Sequence, residues 1–329
     1  MFISVLISSI NRASSLNRTL ESLLCPATLE RTDWELILVT DSGTGEDTLG
    51  LGNNFAERFP DRFRFLIQEG HGKSNAMNLA ICQARGDVLA MIDDDVVCSS
   101  DYLDGIRSVF ADASIYGAQG RIFLDCEGGL PEWMGDDLAR FMSLRDCGDQ
   151  QLEWNENLAG TNMVVRGAVM YEVGGYAPEL GAGSLGYCED SELSVRIRGA
   201  GFRLVYAPQV VVYHKLSRAR LTKGFFRKRF FGFGRSQAYY IPLSVPLWRF
   251  SAYTMKKLLR TCFLAFWNSM RGRASASFSL ECNTLTLAGF TWQHLQFRRG
   301  ISPRLSHIEI RRPTISSESP ALSHNLGSE

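Results

Sequence analysis

The segment that decides the fold reads Val88-Leu89-Ala90-Met91-Ile92-Asp93-Asp94-Asp95. Five consecutive apolar residues predict a buried strand. Three adjacent carboxylates follow where this strand ends, and like charges so close together repel unless a cation or hydrogen bonds offset them. We call Asp93, Asp94 and Asp95 the aspartate triplet. The segment therefore predicts a polar site at the carboxyl end of a buried strand.

Apolar runs and helical patterns alternate on the amino-terminal side of this segment. Strands are predicted at residues 2–7, 35–39 and 63–67, and helices at residues 14–24 and 74–84. This alternation is typical of a right-handed parallel α/β sheet, in which ligands gather at the carboxyl ends of the strands. Because Asn11, Arg12 and Asp41 also follow strands, we expect them to meet the aspartate triplet in one crevice.

The aspartate triplet suits a divalent metal ion. Hard carboxylate oxygens favour Mg²⁺ or Mn²⁺, which typically use one or two protein carboxylates together with the phosphates of a substrate. A solvated acidic turn is the alternative interpretation of the same three residues.

An acidic pair and a histidine are further candidates for chemistry. Glu189 and Asp190 precede a predicted helix at residues 191–199, where the helix dipole stabilises carboxylates. They therefore fit either a simple capping role or a general base held near its substrate. His214 ends an apolar run, and a lone histidine there is usually structural. It becomes a plausible metal ligand only if it faces the aspartate triplet.

The glycine-rich stretch Gly70-His71-Gly72-Lys73-Ser74-Asn75 lets the backbone approach a ligand. Lys73 could meet a phosphate or pair with Asp94. The spacing differs from that of a P-loop, so the stretch alone does not define a nucleotide site. Residues 121–160 are rich in Gly, Asp and Trp, and we expect them to be irregular.

A formal net charge of zero conceals a strong asymmetry along the chain. Residues 1–192 contain 13 Lys and Arg but 31 Asp and Glu, whereas residues 193–280 contain 17 Lys and Arg and no acid. An acid-free stretch of this length indicates a polyanionic partner such as lipid headgroups, phosphates or nucleic acid.

One predicted helix within this basic stretch has an apolar face. Trp248, Met255, Leu259, Phe263, Phe266 and Met270 lie along one side of it, and most of the basic residues lie elsewhere. This pattern is typical of a helix on a membrane surface. A helix that packs on the catalytic core with a basic outer face is the alternative.

In order and spacing, these motifs resemble the inverting family 2 glycosyltransferases. The resemblance covers about residues 1–235, and the aspartate triplet stands where the family has its D-x-D motif. The other matching motifs are Ser9-Ile10-Asn11-Arg12, Thr40-Asp41-Ser42-Gly43, Gly72-Lys73-Ser74-Asn75, Gly160-Thr161-Asn162, Gly174-Gly175-Tyr176, Glu189-Asp190 with Arg196 and Gly201, and Tyr206-Ala207-Pro208 with His214.

The resemblance implies a fold and a division of the chain. The fold is α/β of the GT-A type, a Rossmann-like mixed, mostly parallel sheet flanked by helices, with a basic helical extension at the carboxyl end. The catalytic domain would occupy residues 1–220, with the nucleotide half at about 1–120 and the acceptor half at about 121–220. Residues 221–300 would form the basic amphipathic extension, and residues 301–329 a flexible tail.

The resemblance also implies metal-dependent, inverting transfer of a sugar from a nucleotide-diphosphate sugar, with a UDP-sugar favoured. Asp190 would act as the catalytic base, and Asp95 with His214 would hold Mn²⁺ or Mg²⁺. The residues expected to bind the nucleotide sugar are Ser9, Arg12, Asp41, Lys73, Asp93 and Asp94. The residues expected to contact the acceptor or the sugar are Glu189, Asn162 and Trp133, with Trp154 as a further stacking surface.

The acceptor would be a glycan or a lipid-linked saccharide in the synthesis of cell-surface polysaccharide. No basic-then-apolar leader and no apolar run of about 18 residues is present. We therefore expect a cytoplasmic protein, peripheral on the cytosolic face of an anionic membrane. The alternatives are a nucleic-acid-binding protein that uses the basic stretch and a catalytically silent module that binds sugar nucleotides. The absence of the usual nucleic-acid motifs disfavours the first, and the intact acidic sets disfavour the second.

Overall fold

A mixed β-sheet forms the centre of the structure, a computed structural model that describes residues 1–241, 246–271, 274–300 and 305. Within these residues the strands are β1 (Ile3–Ser8), β2 (Trp34–Asp41), β3 (Phe63–Gln68), β4 (Val88–Ile92), β5 (Val96–Cys98), β6 (Gly117–Asp125), β7 (Leu152–Glu153), β8 (Asn162–Arg166) and β9 (Leu204–Lys215). The helices are α1 (Ala13–Leu23), α2 (Pro26–Leu29), α3 (Glu46–Arg58), α4 (Lys73–Gln83), α5 (Tyr102–Phe110), α6 (Asp136–Phe141), α7 (Gly167–Val173), α8 (Glu189–Gly199), α9 (Lys223–Gln237), α10 (Leu247–Met270) and α11 (Ala274–Arg298).

The strands lie in the order β3-β2-β1-β4-β8-β6-β9-β5, and β7 pairs with β9. The first four strands in this order are mutually parallel. Helical crossovers connect them, as the alternation of strand and helix along the sequence predicts. β8 is antiparallel to both of its neighbours, so the sheet is mixed. The predicted mixed, mostly parallel α/β sheet is confirmed.

The two antiparallel pairings bring further residues to the edge where β1, β2 and β4 end. β8 runs against β4 with Asn162 opposite Ile92, so the turn before β8 lies beside the aspartate triplet. β5 runs against β9 with Val96 opposite His214. The carboxyl edge of the parallel strands therefore collects side chains from distant parts of the chain.

β4 stands at the centre of the core. Its side chains alternate between the two faces of the sheet, as the pleat of a strand requires. Val88, Ala90 and Ile92 join a cluster with α1 and α5, while Leu89 and Met91 join a cluster with α4, α7 and α8. Each fully buried aliphatic side chain contributes about 1.5–3 kcal/mol to folding, so this strand is held firmly from both sides.

The expectation that residues 121–160 are irregular is wrong at their beginning. β6 extends to Asp125 and pairs in parallel with β9. Gly120 makes this strand hard to recognise in the sequence, because glycine usually indicates a turn. Here the glycine is needed for the close approach of a side chain. A Cβ at Gly120 would lie 2.1 Å from the side-chain nitrogen of Asn162.

The basic extension is helical in its described part and packs on the rest of the molecule. α9 and α10 both pack against α11. Phe226 and Phe230 of α9 and Phe278 of α11 share a cluster with Leu138 of α6. Among the described residues, none of the helices combines the length and the hydropathy that a membrane span requires. The predicted flexible tail at residues 301–329 lies, apart from residue 305, outside the described residues.

Candidate active site

A cleft of about 680 Å³ opens at the carboxyl edge of β1, β2 and β4. The aspartate triplet lies in it together with Glu189 and Asp190 from the first turn of α8. The structure therefore brings acidic groups that are far apart in the sequence into one cleft. The other predicted residues that line it are Ser9, Arg12, Asp41 and Lys73.

Cations and hydrogen-bond donors surround the first two carboxylates of the triplet. Asp93 accepts hydrogen bonds from the Lys73 ammonium and the Thr161 hydroxyl, both at 2.7 Å. Asp94 accepts from the Ser9 hydroxyl at 2.6 Å and from the Arg12 guanidinium at 2.5 Å. Lys73 therefore pairs with Asp93. The pair with Asp94 that the sequence suggested is wrong. These contacts offset the repulsion within the triplet.

Asp95 has the richest set of partners. Its Oδ2 atom accepts from Arg12 at 3.0 Å and from Arg220 at 2.7 Å, and its Oδ1 atom lies 3.3 Å from His214 Nε2. Burial opposes ionisation here, but the positive charges of Arg220 and Arg12 help to hold the pKa of Asp95 well below its usual range. Asp95 is therefore an ionised carboxylate at neutral pH.

The neighbouring carboxylate behaves differently. Burial, with the negative charges of Asp95 and Asp93, raises the pKa of Asp94 to about 6 despite the opposing effect of Arg12. Burial and the charge of Asp190 likewise raise the pKa of Glu189, although the Lys73 ammonium lies 3.2 Å away. The carboxylates of the cleft thus differ in how readily they ionise, which is common at functional sites.

Asp190 is held by the backbone. Its Oδ2 atom accepts from the Gly160 N–H at 3.0 Å and its Oδ1 atom from the Ser191 N–H at 2.7 Å. Gly160 belongs to the turn before β8, so the antiparallel insertion of that strand fixes the carboxylate of α8. This carboxylate is oriented and is partly open to the cleft. An oriented carboxylate that is open to the cleft can accept a proton there.

The residues around Asp95 fit a divalent metal ion. His214 is 2% exposed, and its Nδ1 lies 3.1 Å from the carbonyl oxygen of Met142. A carbonyl only accepts, so Nδ1 carries the proton. Nε2 is buried, faces Asp95 and has no hydrogen-bond partner. A carboxylate oxygen and an imidazole nitrogen that face each other are suitable ligands for Mn²⁺.

No group of three or more His, Cys, Asp or Glu side chains that could hold a metal occurs among the described residues. A metal ion between Asp95 and His214 would take its protein ligands from these two side chains. The remaining positions around an ion would belong to water and to phosphate oxygens of a substrate, as is usual for Mg²⁺ and related ions.

Two residues that were predicted to contact the acceptor or the sugar lie outside the cleft. Asn162 is fully buried, and its amide bonds to the Tyr102 hydroxyl and to the carbonyls of Arg121 and Val210. It therefore fastens β8 to β6 and β9. Trp133 packs edge-on against Phe226 and Phe278, because the α9–α11 extension covers it. Trp154, the further stacking candidate, is 6% exposed and packs near Tyr206.

Sequence reasoning missed several basic residues in the cleft. Arg145 follows α6, Arg220 belongs to a turn after β9, and Arg229 belongs to α9. No single motif marks them. The signal that could have found two of them is the acid-free stretch itself, which the structure folds back over the aspartate triplet.

Comparison with known proteins identifies the family. The chain belongs to the glycosyltransferases, because the family model described as "Glycosyltransferase like family 2" matches residues 2–230. A glucosyl-dolichyl phosphate glucuronosyltransferase from Haloferax volcanii is 28% identical over 215 residues, which cover 63% of this chain and 66% of that relative. An uncharacterised glycosyltransferase from Nostoc sp. is 31% identical over 117 residues, which cover 36% of this chain and 35% of the relative. The chain thus matches only part of the length of each relative.

Solved structures show the same fold. A mannosyltransferase from Pyrobaculum calidifontis, in complex with GDP-Man and Mn²⁺, superposes with a TM-score of 0.54 at 15% identity and covers 92% of this chain and 76% of its own. The glycosyltransferase GalNAc-T7, solved with UDP, GalNAc and Mn²⁺, gives a TM-score of 0.52 at 17% identity. This match covers 74% of this chain and 52% of the GalNAc-T7 chain. The predicted GT-A arrangement is confirmed.

The pairing of His214 with Asp95 generates a testable prediction. The substitution His214→Gln should weaken Mn²⁺ binding in the presence of a nucleoside diphosphate by about tenfold or more, because one ligand is lost. Calorimetric titration with Mn²⁺ measures this. The matched control is His71→Gln, since His71 is exposed and no partner holds it at the aspartate triplet. Unchanged Mn²⁺ affinity in His214→Gln would remove His214 from the metal site.

Proposed function

We propose that the protein transfers a sugar from a nucleotide-diphosphate sugar, with a UDP-sugar favoured, to an acceptor hydroxyl with inversion at the anomeric carbon. The observation that carries the proposal is the shared cleft of the aspartate triplet and Asp190. The aspartate triplet suits a cation that holds a diphosphate, and the Asp190 carboxylate is oriented in the same cleft by the N–H groups of Gly160 and Ser191. Family membership supports glycosyl transfer as the reaction class.

The proposed reaction is a single displacement. The Asp190 carboxylate accepts the proton of the acceptor hydroxyl as the acceptor oxygen forms its bond to the anomeric carbon. The bond between that carbon and the diphosphate breaks on the opposite face, and its electron pair stays with the phosphate oxygen. Inversion follows because attack and departure occur on opposite faces.

The donor would lie along the nucleotide half of the cleft. Ser9 follows β1, and Asp41 is the last residue of β2. Both lie where the nucleoside of the donor would enter. Arg12 and Arg220 flank Asp95 and can balance the charge of the diphosphate. Asp95 and His214 would hold Mn²⁺ or Mg²⁺, which as a Lewis acid would stabilise the negative charge of the leaving diphosphate. The Mn²⁺ in the two similar structures supports a metal of this kind.

The acceptor would enter beside Asp190. Residues 155–159 and 186–191 form this part of the cleft wall, and they belong to the proposed acceptor half at 121–220. The Haloferax relative is named for a glucosyl-dolichyl phosphate, a sugar carried on a lipid. We therefore propose a glycan or a lipid-linked saccharide as the acceptor, met at the cytosolic face of an anionic membrane.

The described part of the basic extension supports membrane attachment. Phe250, Thr254 and Thr261 of α10 face α11, with the Phe250 and Phe290 rings 5.3 Å apart. On another face of α10, an apolar stripe is more than half exposed along the whole helix. Its members are Trp248, Met255, Leu259, Phe263, Phe266 and Met270.

Charge favours a lipid surface over a second copy of the chain as the partner of this stripe. Arg249, Lys256, Arg260 and Arg271 are exposed and flank it. A symmetric contact between two copies would bring these cations together, with no acidic residue at 193–280 to offset them. Anionic headgroups complement them, and apolar side chains at the acyl boundary complete the interaction.

The first prediction concerns the base. The substitution Asp190→Asn should lower kcat by about 10²–10⁴-fold, because an amide cannot accept the hydroxyl proton, while nucleotide binding stays near wild type. The matched control is Asp61→Asn, an exposed carboxylate that precedes β3 at the opposite edge of the sheet. Steady-state kinetics and calorimetric titration with UDP measure the two effects. Wild-type turnover by Asp190→Asn would exclude this residue as the base.

The second prediction concerns the membrane. Replacing Phe263 and Phe266 together by Ser should reduce binding to vesicles that contain phosphatidylglycerol by about tenfold or more, because two large apolar groups no longer leave water. Flotation measures this, with phosphatidylcholine vesicles for comparison. Leu152→Ser, at an exposed apolar site on β7, serves as the control. A wild-type dimer that the double substitution dissociates, without vesicle binding, would instead assign the stripe to self-association.

A further inference from the structure

A cation that forms no ion pair with the described residues lies in the wall of the cleft. Arg229 of α9 lines the cleft, and its Nε atom is buried without a hydrogen-bond partner. Among the ion pairs of the described residues, Arg12 and Arg220 bind the aspartate triplet, and Lys73 binds Asp93 and Glu189. None of these ion pairs includes Arg229. The guanidinium therefore faces the cleft without an ion-pair partner among the described residues.

Aromatic rings fix this guanidinium in place. Its central carbon lies 5.3 Å from the ring centre of Tyr187, 5.5 Å from that of Phe141 and 5.7 Å from that of Phe225. Such contacts hold an arginine through its face and leave the N–H donors at its edge free for another partner. Arg229 is thus oriented before any ligand arrives.

The environment disfavours an unpaired charge at this position. Burial and the positive charge of Arg220 lower the pKa of Arg229, while Tyr187, Glu189 and Asp93 only partly oppose them. A half-buried cation beside a second cation is costly unless an anion joins them. Because the charges of Arg220 and Asp93 both act on Arg229, an anion beside the aspartate triplet would offset the charge of Arg229.

We infer that Arg229 binds the distal phosphate of the nucleoside diphosphate of the donor, the phosphate that carries the sugar. The inference rests on the proposed function. The planar N–H donors of an arginine match phosphate oxygens in pairs. Arg220 lines the same cleft and would contact the same phosphate. The nucleoside itself would lie on the other wall, near Ser9 and Asp41, beyond the reach of α9. The extension therefore completes the donor site as well as covering Trp133.

The test compares nucleoside diphosphates with monophosphates. Arg229→Gln should bind UDP, GDP or dTDP, whichever the wild type binds, about tenfold more weakly in the presence of Mn²⁺, because a charge-assisted contact is lost. Binding of the corresponding monophosphate should change little. Calorimetric titration gives both constants. Arg227→Gln is the matched control, since Arg227 lies on the same helix but is exposed and pairs with Glu281.

A second variant separates binding from folding. Arg229→Lys keeps the charge but loses the planar donors, so its affinity for the diphosphate should fall between the wild type and Arg229→Gln. Arg229→Lys should also melt near the wild-type temperature without nucleotide, because a lysine cation can keep its contacts with the three rings. Equal weakening of monophosphate and diphosphate would overturn the inference, since it would indicate a structural role.

Three other outcomes also decide the matter. Wild-type diphosphate affinity in Arg229→Gln overturns the inference and leaves the proposed function intact. Weaker binding of UDP-glucuronate but not of UDP overturns it too, because the partner would then be a carboxylate on the sugar. A wild-type protein that binds none of these nucleotides with Mn²⁺ overturns the proposed function, and the inference falls with it.

Discussion

The structure depends on the neutralisation of three adjacent carboxylates at the end of β4. Two of them are almost fully buried, at 4% exposure each, which is possible only because cations lie against them. Arg12 comes from the turn after β1, Lys73 begins α4, and Arg220 follows β9. The same ion pairs that make the aspartate triplet tolerable therefore draw three distant parts of the chain to one edge of the sheet. The cleft is a consequence of that arrangement.

The acid-free stretch has two roles that the composition alone does not separate. Its first basic residues turn inward, where Arg220 pairs with Asp95 and Arg229 lies among three rings. Its later ones turn outward along α10, beside an exposed apolar stripe. The basic residues of this stretch thus have an internal partner, the aspartate triplet, and a proposed external partner, an anionic membrane.

The sequence predicted the parts of the site that local patterns encode. β4 has the predicted bounds, because an apolar run before charged residues is unambiguous, and α8 begins at Glu189, two residues before the predicted helix. His214 meets Asp95 only through the antiparallel pairing of β5 with β9, which no local pattern reveals. Asn162 matched a motif, yet it holds β6 through the gap at Gly120. Residue type alone does not distinguish a buried amide that binds backbone from one that binds a sugar.

The central claim is that the aspartate triplet and Asp190 act on opposite faces of one anomeric carbon. Proton NMR of the product made from a nucleotide sugar with an α-anomeric linkage tests it most directly, because the coupling constant of the anomeric proton reports the new configuration. The account predicts a β-linked product from a donor whose ring geometry makes the two couplings distinct. An α-linked product would contradict a single displacement with Asp190 as its base.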